Sequence, residues 1–404
     1  MKELALIASS PRRIRQSNEI AALQALHRSG RLSRADLARM LNLNRSSSGH
    51  IIAELTSAGL VREVAEERPE RPSYGRAGRP GVMLELVPDA VFFIGVEIGV
   101  EHIATVQIDL QANIVSTSSE AFKGPSVSVE AAVERAIELA LKPIPREALG
   151  RCEGFGISTP SQMDRNGNVH FAPLLGWRNV NLVELTRPRL PVRVPVLAEN
   201  DANAFAIGAT YGNGDVQPGV TLFIVLESGV GGGIVVDGNL FRGANGLAGE
   251  IGHLHMTGEP GRGRNLEQLI GLENILAEYR KVSNHDDPRL EQFLSDVRDR
   301  APSAVAIAEE WAKSLAYALV QICRIIDADR IVLGGSVAAL YPLVAARVAA
   351  HIQTAQESSF PVPTIALNET ASGSAFGAAC MLHQRYLSLE SNRFSEDAAK
   401  LDAV

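Results

Sequence analysis

The sequence predicts an α/β protein of two unlike parts, a short helical head ending in a β-hairpin and a large body in which strands alternate with helices. Three observations carry this. Three amphipathic helical stretches crowd into residues 18–58. Strand-like runs interleaved with long helices begin near residue 91. Between them, residues 65–81 hold four Arg, three Pro and three Gly with almost nothing apolar, the signature of a linker or turn. The head is therefore assigned to residues 1–64, a wing tip and linker to 65–86, and the body to the remainder.

In the head, Ile20, Leu23 and Leu26 lie at helical spacing and the helix stops at Ser29-Gly30. Ser33 is the expected N-cap of a second helix that buries Leu37, Ala38 and Leu41. A tight turn at 41–43 leads through Asn44, a second N-cap, into a third helix with Ile51, Ile52 and Leu55 on its inner side. Two short helices in this order read as a helix-turn-helix. The alternating run 60–64, with 83–87 able to pair with it, makes the winged variant. Arg45, Ser46, Ser47 and His50, at the start of the third helix, are then best placed to reach base edges in a major groove. Gly49 breaks the helical preference and is consistent with close approach to a DNA backbone. Arg76 and Arg79 lie in an Arg/Gly/Pro arm suited to a narrow minor groove. The other reading of the head is a protein-docking module.

In the body, 92–97, 103–109 and 114–119 read as a strand meander, followed by a helix over 127–141 and a strand over 153–158. Strands follow at 221–226 and 233–236, then a long helix over 301–326, a strand over 330–333 and a last helix near 375–387.

Charge sharpens the division. The net charge of -7 conceals 14 Lys+Arg against 8 Asp+Glu in residues 1–80, and 25 against 38 in the rest. A basic head on an acidic body points to a nucleic-acid partner for the head alone. With 46% hydrophobic and 21% charged residues, the chain is outside the composition of disordered proteins. Cys152, Cys323 and Cys380 are too widely spaced for a disulfide framework or a Cys-x-x-Cys pair and are expected to be buried and reduced. Residues 4–8 are apolar but precede Arg12 and Arg13, the reverse of a secretory signal. No run approaches a membrane span, so a soluble cytoplasmic protein with no membrane partner is expected.

The body carries specific motifs. Glu227-Ser228-Gly229-Val230-Gly231-Gly232-Gly233 follows an apolar strand, where a glycine loop brings N–H groups close to a phosphate or lets a neighbouring strand pack tightly. Around it stand Glu199-Asn200-Asp201-Ala202-Asn203, Gly249-Glu250-Ile251-Gly252-His253, Asn265-Leu266-Glu267, Gly334-Gly335-Ser336 and Gly373-Ser374-Ala375-Phe376-Gly377. Together these resemble the ROK family of sugar kinases and sugar-responsive repressors, from about Arg15 to Tyr386. The resemblance implies a two-lobed actin-like ATPase fold, with lobe I over 87–200, rejoined by 375–390, and lobe II over 201–374. It also implies a sugar site of Asn200, Asp201, Glu250, His253 and Glu267, residues suited to vicinal hydroxyls because carboxylates accept hydrogen bonds while Asn donates and accepts. An amino-terminal winged helix marks the repressor branch. In the kinases, the residue matching Asp201 is the general base.

Three departures from the kinase pattern weigh against catalysis. Glu97-Ile98-Gly99-Val100-Glu101 replaces Asp-x-Gly-Gly-Thr in the first phosphate loop, and Glu227-Ser228-Gly229 replaces Gly-Thr-Gly in the second. Phosphoryl transfer depends on positioning and neutralising phosphate charge, so these anions leave Asp201 a vestigial base. The family's zinc-binding Cys cluster is missing after His253, and His255 alone is a poor partner for it, so no metal and no cofactor are expected. Leu174 stands where the kinases usually carry Asn. The resulting expectation is a homodimeric, sugar-responsive repressor that binds palindromic operator DNA and a sugar or sugar-phosphate effector. The alternative is an active sugar kinase with a DNA-binding head.

Overall fold

A computed structural model describes residues 11–65, 82–212, 218–257, 263–283, 286–356, 361–368 and 373–388. In the head, helices Pro11–Ser29, Arg34–Met40 and Arg45–Ser57 stand on a three-stranded antiparallel sheet. The two caps form as expected: Ser33 Oγ accepts the Asp36 N–H at 3.1 Å, and Asn44 Oδ1 accepts the Ser47 N–H at 2.8 Å. Each satisfies an amide that a helix start leaves unpaired. Leu37, Ile51, Ile52 and Leu55 are buried, whereas Ala38 and Leu41 are only half-buried.

Strand Val82–Leu86, placed above within the linker segment, is the centre of that sheet. It pairs with Val61–Ala65 on one side and with Arg31–Ser33 on the other. The three residues Arg31–Ser33 were not expected as a strand, because their pairing partner is 54 residues away in sequence. Glu85 on the central strand is bonded by Arg31 at 2.7 Å and by Arg62 at 2.6 Å. The arm holding Arg76 and Arg79 lies outside the described residues.

The body is built on two five-stranded mixed sheets. The first runs, in spatial order, Val196–Asn200, Cys152–Thr159, Phe92–Ile98, His102–Asp109 and Ile114–Ala121. The second runs Asn239–Leu240, Val230–Val236, Val220–Leu226, Arg330–Gly334 and Thr364–Leu367. Alternation along the strands sorts the layers. Phe92, Ile94, Val96 and Ile98 pack with helix Val129–Leu141 on one face, while Phe93 joins helix Gly373–Tyr386 on the other. In the second sheet Leu222, Ile224 and Leu226 pack with helix Pro302–Ile326, while Phe223 meets Phe205 and Ala206 of helix Asp201–Gly212. Helix Tyr341–Ala355 and the small sheet of Gln162–Met163, Asn168–Ala172 and Trp177–Asn181 were not foreseen.

Gly231 to Gly233 are not a loop. They lie inside strand Val230–Val236, paired with Val225, Ile224 and Phe223. Side chains there would press on Ala202, Ala206 and Ile251, so the glycines admit close packing rather than cradle a phosphate. Cys152, Cys323 and Cys380 are buried free thiols. No helix among the described residues is long and apolar enough to cross a membrane.

Helices Asp201–Gly212 and Gly373–Tyr386 cross in van der Waals contact at Gly377, where a Cβ would run into the carbonyl oxygen of Ala204. Gly377→Ala is therefore expected to lower stability by about 3 kcal/mol in urea unfolding. Gly208→Ala, whose Cβ would meet the Gly377 amide at 3.0 Å, should cost about 1 kcal/mol.

Candidate functional site

Strand Val196–Asn200 passes without a loop into helix Asp201–Gly212, so two polar side chains crowd the helix start. Asn200 Oδ1 accepts the N–H groups of Ala202 at 2.9 Å and Asn203 at 3.1 Å, and its Nδ2 donates to the Ser161 carbonyl at 2.9 Å. Asp201 Oδ1 also accepts the Ala202 N–H, at 2.9 Å. Asn200 thus caps the helix, and Asp201, its first residue, faces the cleft. Beneath them the buried Glu199 takes Arg242 at 2.8 Å, the Asn203 amide at 3.1 Å and the Asn200 N–H at 3.1 Å.

The opposite wall comes from residues 246–253. Gly249 has φ of +96°, open mainly to glycine, and a Cβ there would strike the Gly232 carbonyl. This contact sets the Ile251–His253 turn against strand Val230–Val236 and brings Glu250 and His253 to the cleft, Oε2 to Nε2 3.6 Å apart. Glu267 closes the third side, its Oε2 accepting the Val230 N–H at 3.0 Å. Asn200, Asp201, Glu250, His253 and Glu267 all line one cleft. Gln162, Leu174 and Asn203 line it too. Gln162 gave no sequence signal, since only the unforeseen small sheet carries it here.

Electrostatics in the cleft are dominated by carboxylates. Burial, reinforced by the charges of Glu97 and Glu250, pushes Asp201 up to about 7 despite the Ala202 hydrogen bond. Burial also raises Glu250, with Glu267 adding to it and His253 and Gln162 opposing.

The two loops expected to differ from a phosphate cradle are occupied by the chain's own anions. Burial would raise Glu97, but hydrogen bonds from His102 and from Ser374, at the start of helix Gly373–Tyr386, outweigh it and hold its carboxyl below the usual range. His102 Nε2 lies 3.5 Å from Glu97 Oε1. That hydrogen bond raises the imidazole against the effect of burial, and the charges of Glu227 and Glu101 add to it. Glu227 accepts the Ser336 N–H and the Ser336 hydroxyl, each at 2.7 Å. The Ser228 hydroxyl reaches Glu101 at 3.4 Å. Among the described residues no three His, Cys, Asp or Glu side chains converge to hold a metal ion.

The head residues lie elsewhere. Arg45, Ser46 and His50 are exposed and Ser47 is half-exposed on helix Arg45–Ser57. His50 Nε2 lies 3.4 Å from Glu54 Oε1. A Cβ on Gly49 would meet nothing within 4 Å, so nothing inside the described protein demands a glycine there. The far end of the Asp201 helix meets the head. Tyr211 is hydrogen-bonded to His383 Nδ1, and His27 of the first head helix stacks on Tyr211 at 5.6 Å and lies 4.8 Å from His383. Gln24 donates to the Leu387 carbonyl at 2.6 Å.

Two five-stranded sheets flanking a polar cleft, with crossed helices starting beside it, define an actin-like sugar-kinase fold. The chain belongs to the ROK family, whose model matches residues 93–385. It is 24% identical over 342 residues to the xylose repressor of Bacillus spizizenii, covering 82% of this chain and 85% of that one. Matches to other xylose repressors span about three fifths of their length. A ROK family transcriptional regulator, described as a homolog of the Escherichia coli Mlc protein, superposes with a TM-score of 0.75 at 19% identity, over 94% of this chain and 98% of that one. A ROK family glucokinase from Streptomyces griseus in complex with glucose and AMPPNP superposes with a TM-score of 0.63 at 25% identity, over 72% of this chain and 99% of that one.

The raised Asp201 makes a signed prediction. The folded state holds this proton more tightly than the unfolded chain, with its ordinary value of 3.8. The Asp201 contribution to stability is therefore fully present below about pH 4 and lost as pH rises toward 7. Asp201→Asn keeps an acceptor for the Ala202 N–H and removes the charge. Its melting temperature should match that of the parent near pH 4 and exceed it at pH 8.

Proposed function

We propose that this protein is a sugar-responsive transcriptional repressor whose kinase-like body binds a sugar without phosphorylating it. The observation that carries the proposal is the joint state of the cleft. All five sugar-site residues implied by the family converge on it, while Glu97 and Glu227 occupy backbone N–H groups at the positions where a kinase would hold phosphates. A base without a phosphate cradle lacks the main source of phosphoryl-transfer catalysis. The likeness to the Bacillus spizizenii xylose repressor over most of both chains supports the same reading.

The head is a winged helix-turn-helix in this reading. Helix Arg45–Ser57 is the recognition helix, with Arg45, Ser46, Ser47 and His50 toward the base edges and Arg76 and Arg79 in the adjacent minor groove. Two heads in a homodimer would read a palindromic operator. Sugar at the start of helix Asp201–Gly212 acts on an element whose other end, about 18 Å away, packs through Tyr211 against His27 of the head. A sugar that favours one orientation of the heads would then release DNA.

Binding to DNA upstream of its own gene, followed by fluorescence anisotropy, tests the head. Arg45→Ala should weaken sequence-specific binding by about 10- to 100-fold; equal loss on random DNA would show a phosphate contact instead. A second reading, an active sugar kinase with a DNA-binding head, is favoured by the retained Asp201. A coupled ATP-turnover assay over neutral sugars separates the two. No sugar-dependent turnover is expected, and turnover abolished by Asp201→Asn would establish the kinase.

A further inference from the structure

We infer that the cleft takes an uncharged sugar and rejects the phosphate ester of that same sugar; this rests on the reading of the cleft as a sugar site. Around the cleft, groups that ordinarily attract a phosphate are already held by side chains of the protein. The Ser374 amide and hydroxyl serve Glu97, and the Ser336 amide and hydroxyl serve Glu227. The Val230 amide serves Glu267. The first free amides of helix Asp201–Gly212 go to Asn200 and Asp201. A helix start or tight turn binds anions through such N–H groups. Here an entering phosphate would have to displace a carboxylate and leave both anions in one confined space.

Charge in the cleft acts in the same direction. Asp201, Glu250 and Glu267 line it, and no lysine or arginine stands among its described lining residues. His253 is the one imidazole among those residues and lies against Glu250. Arg242, on the segment leading to Glu250, is bound through Nε and Nη2 to Glu199. Burial is the main cause that raises Asp201, and the negative charges of Glu97 and Glu250 act on it in the same direction. Sugar hydroxyls suit this field because they donate hydrogen bonds to carboxylates without bringing charge. Leu174 adds an apolar wall for the C–H face of a ring.

Isothermal titration of the full chain with free aldopentoses, aldohexoses and N-acetylhexosamines, each paired with its terminal phosphate ester, tests the inference. The expected result is binding of at least one free sugar, with its phosphate ester bound at least about 100-fold more weakly. Glu97→Gln, which removes a charge felt by Asp201 from outside the lining, should narrow that gap about fivefold. An ester that binds as tightly as the free sugar overturns the inference and leaves the sensor reading standing. A gap that Glu97→Gln does not change overturns its electrostatic basis. If no member of either series binds, the sensor reading itself falls, and the inference with it.

Discussion

The crossing of helices Asp201–Gly212 and Gly373–Tyr386 is the constraint on which the rest of the structure depends. At Gly377 and Ala204 the two backbones meet with no room for a side chain between them. Close-packed interiors transmit displacement because they do not compress. Helix Gly373–Tyr386 also lies against the first sheet, where Gly95 and Gly156 leave space for it. Helix Asp201–Gly212 lies against the second sheet through Phe205 and Ala206. The pair therefore fixes the two halves of the body relative to each other. It also places polar groups at its amino-terminal ends, Asp201 and Ser374, beside the cleft and the Glu97 site, and places Tyr211 and His383 at its other ends beneath the head.

Those two ends differ in chemistry. At the cleft, burial raises the proton affinity of Asp201 and of Glu250, and neighbouring carboxylates add to it. At the head junction, burial, with His27 adding, lowers His383 to about 4, so the contact is between neutral aromatic groups, and His383 Nε2 is tied to the Leu110 carbonyl at 2.7 Å. A junction of neutral rings depends on shape rather than charge, and so responds to small shifts of the helices that carry it.

Much of this was legible in the sequence. Caps at Ser33 and Asn44, the strands read over 92–97, 103–109 and 114–119, and the long helix ending at Ile326 follow from local chemistry: side chains that cap, residues that alternate, apolar stripes at helical spacing. The cleft residues were legible because their motifs are dense and specific. What escaped was non-local. Strand Arg31–Ser33 exists only because Val82–Leu86 lies beside it, and Gln162 reaches the cleft only on a small sheet whose strands are too short to show a period. The glycine run 231–233 looked like a loop because glycine's freedom is visible in sequence, whereas the neighbours that require its smallness are not.

By itself, the sequence determined the order of the main strands and helices, the separation of a basic head from an acidic body, and the identity of most side chains that meet in the cleft. Tertiary structure alone decided what those side chains bond to. Glu97 and Glu227 read in sequence as anions placed where phosphates are unwelcome; in the fold they are held by Ser374 and Ser336, residues 277 and 109 positions away. The physical reason is that a carboxylate's role is set by the N–H and O–H groups within about 3 Å of it, and at that distance the neighbours are chosen by packing, not by order along the chain.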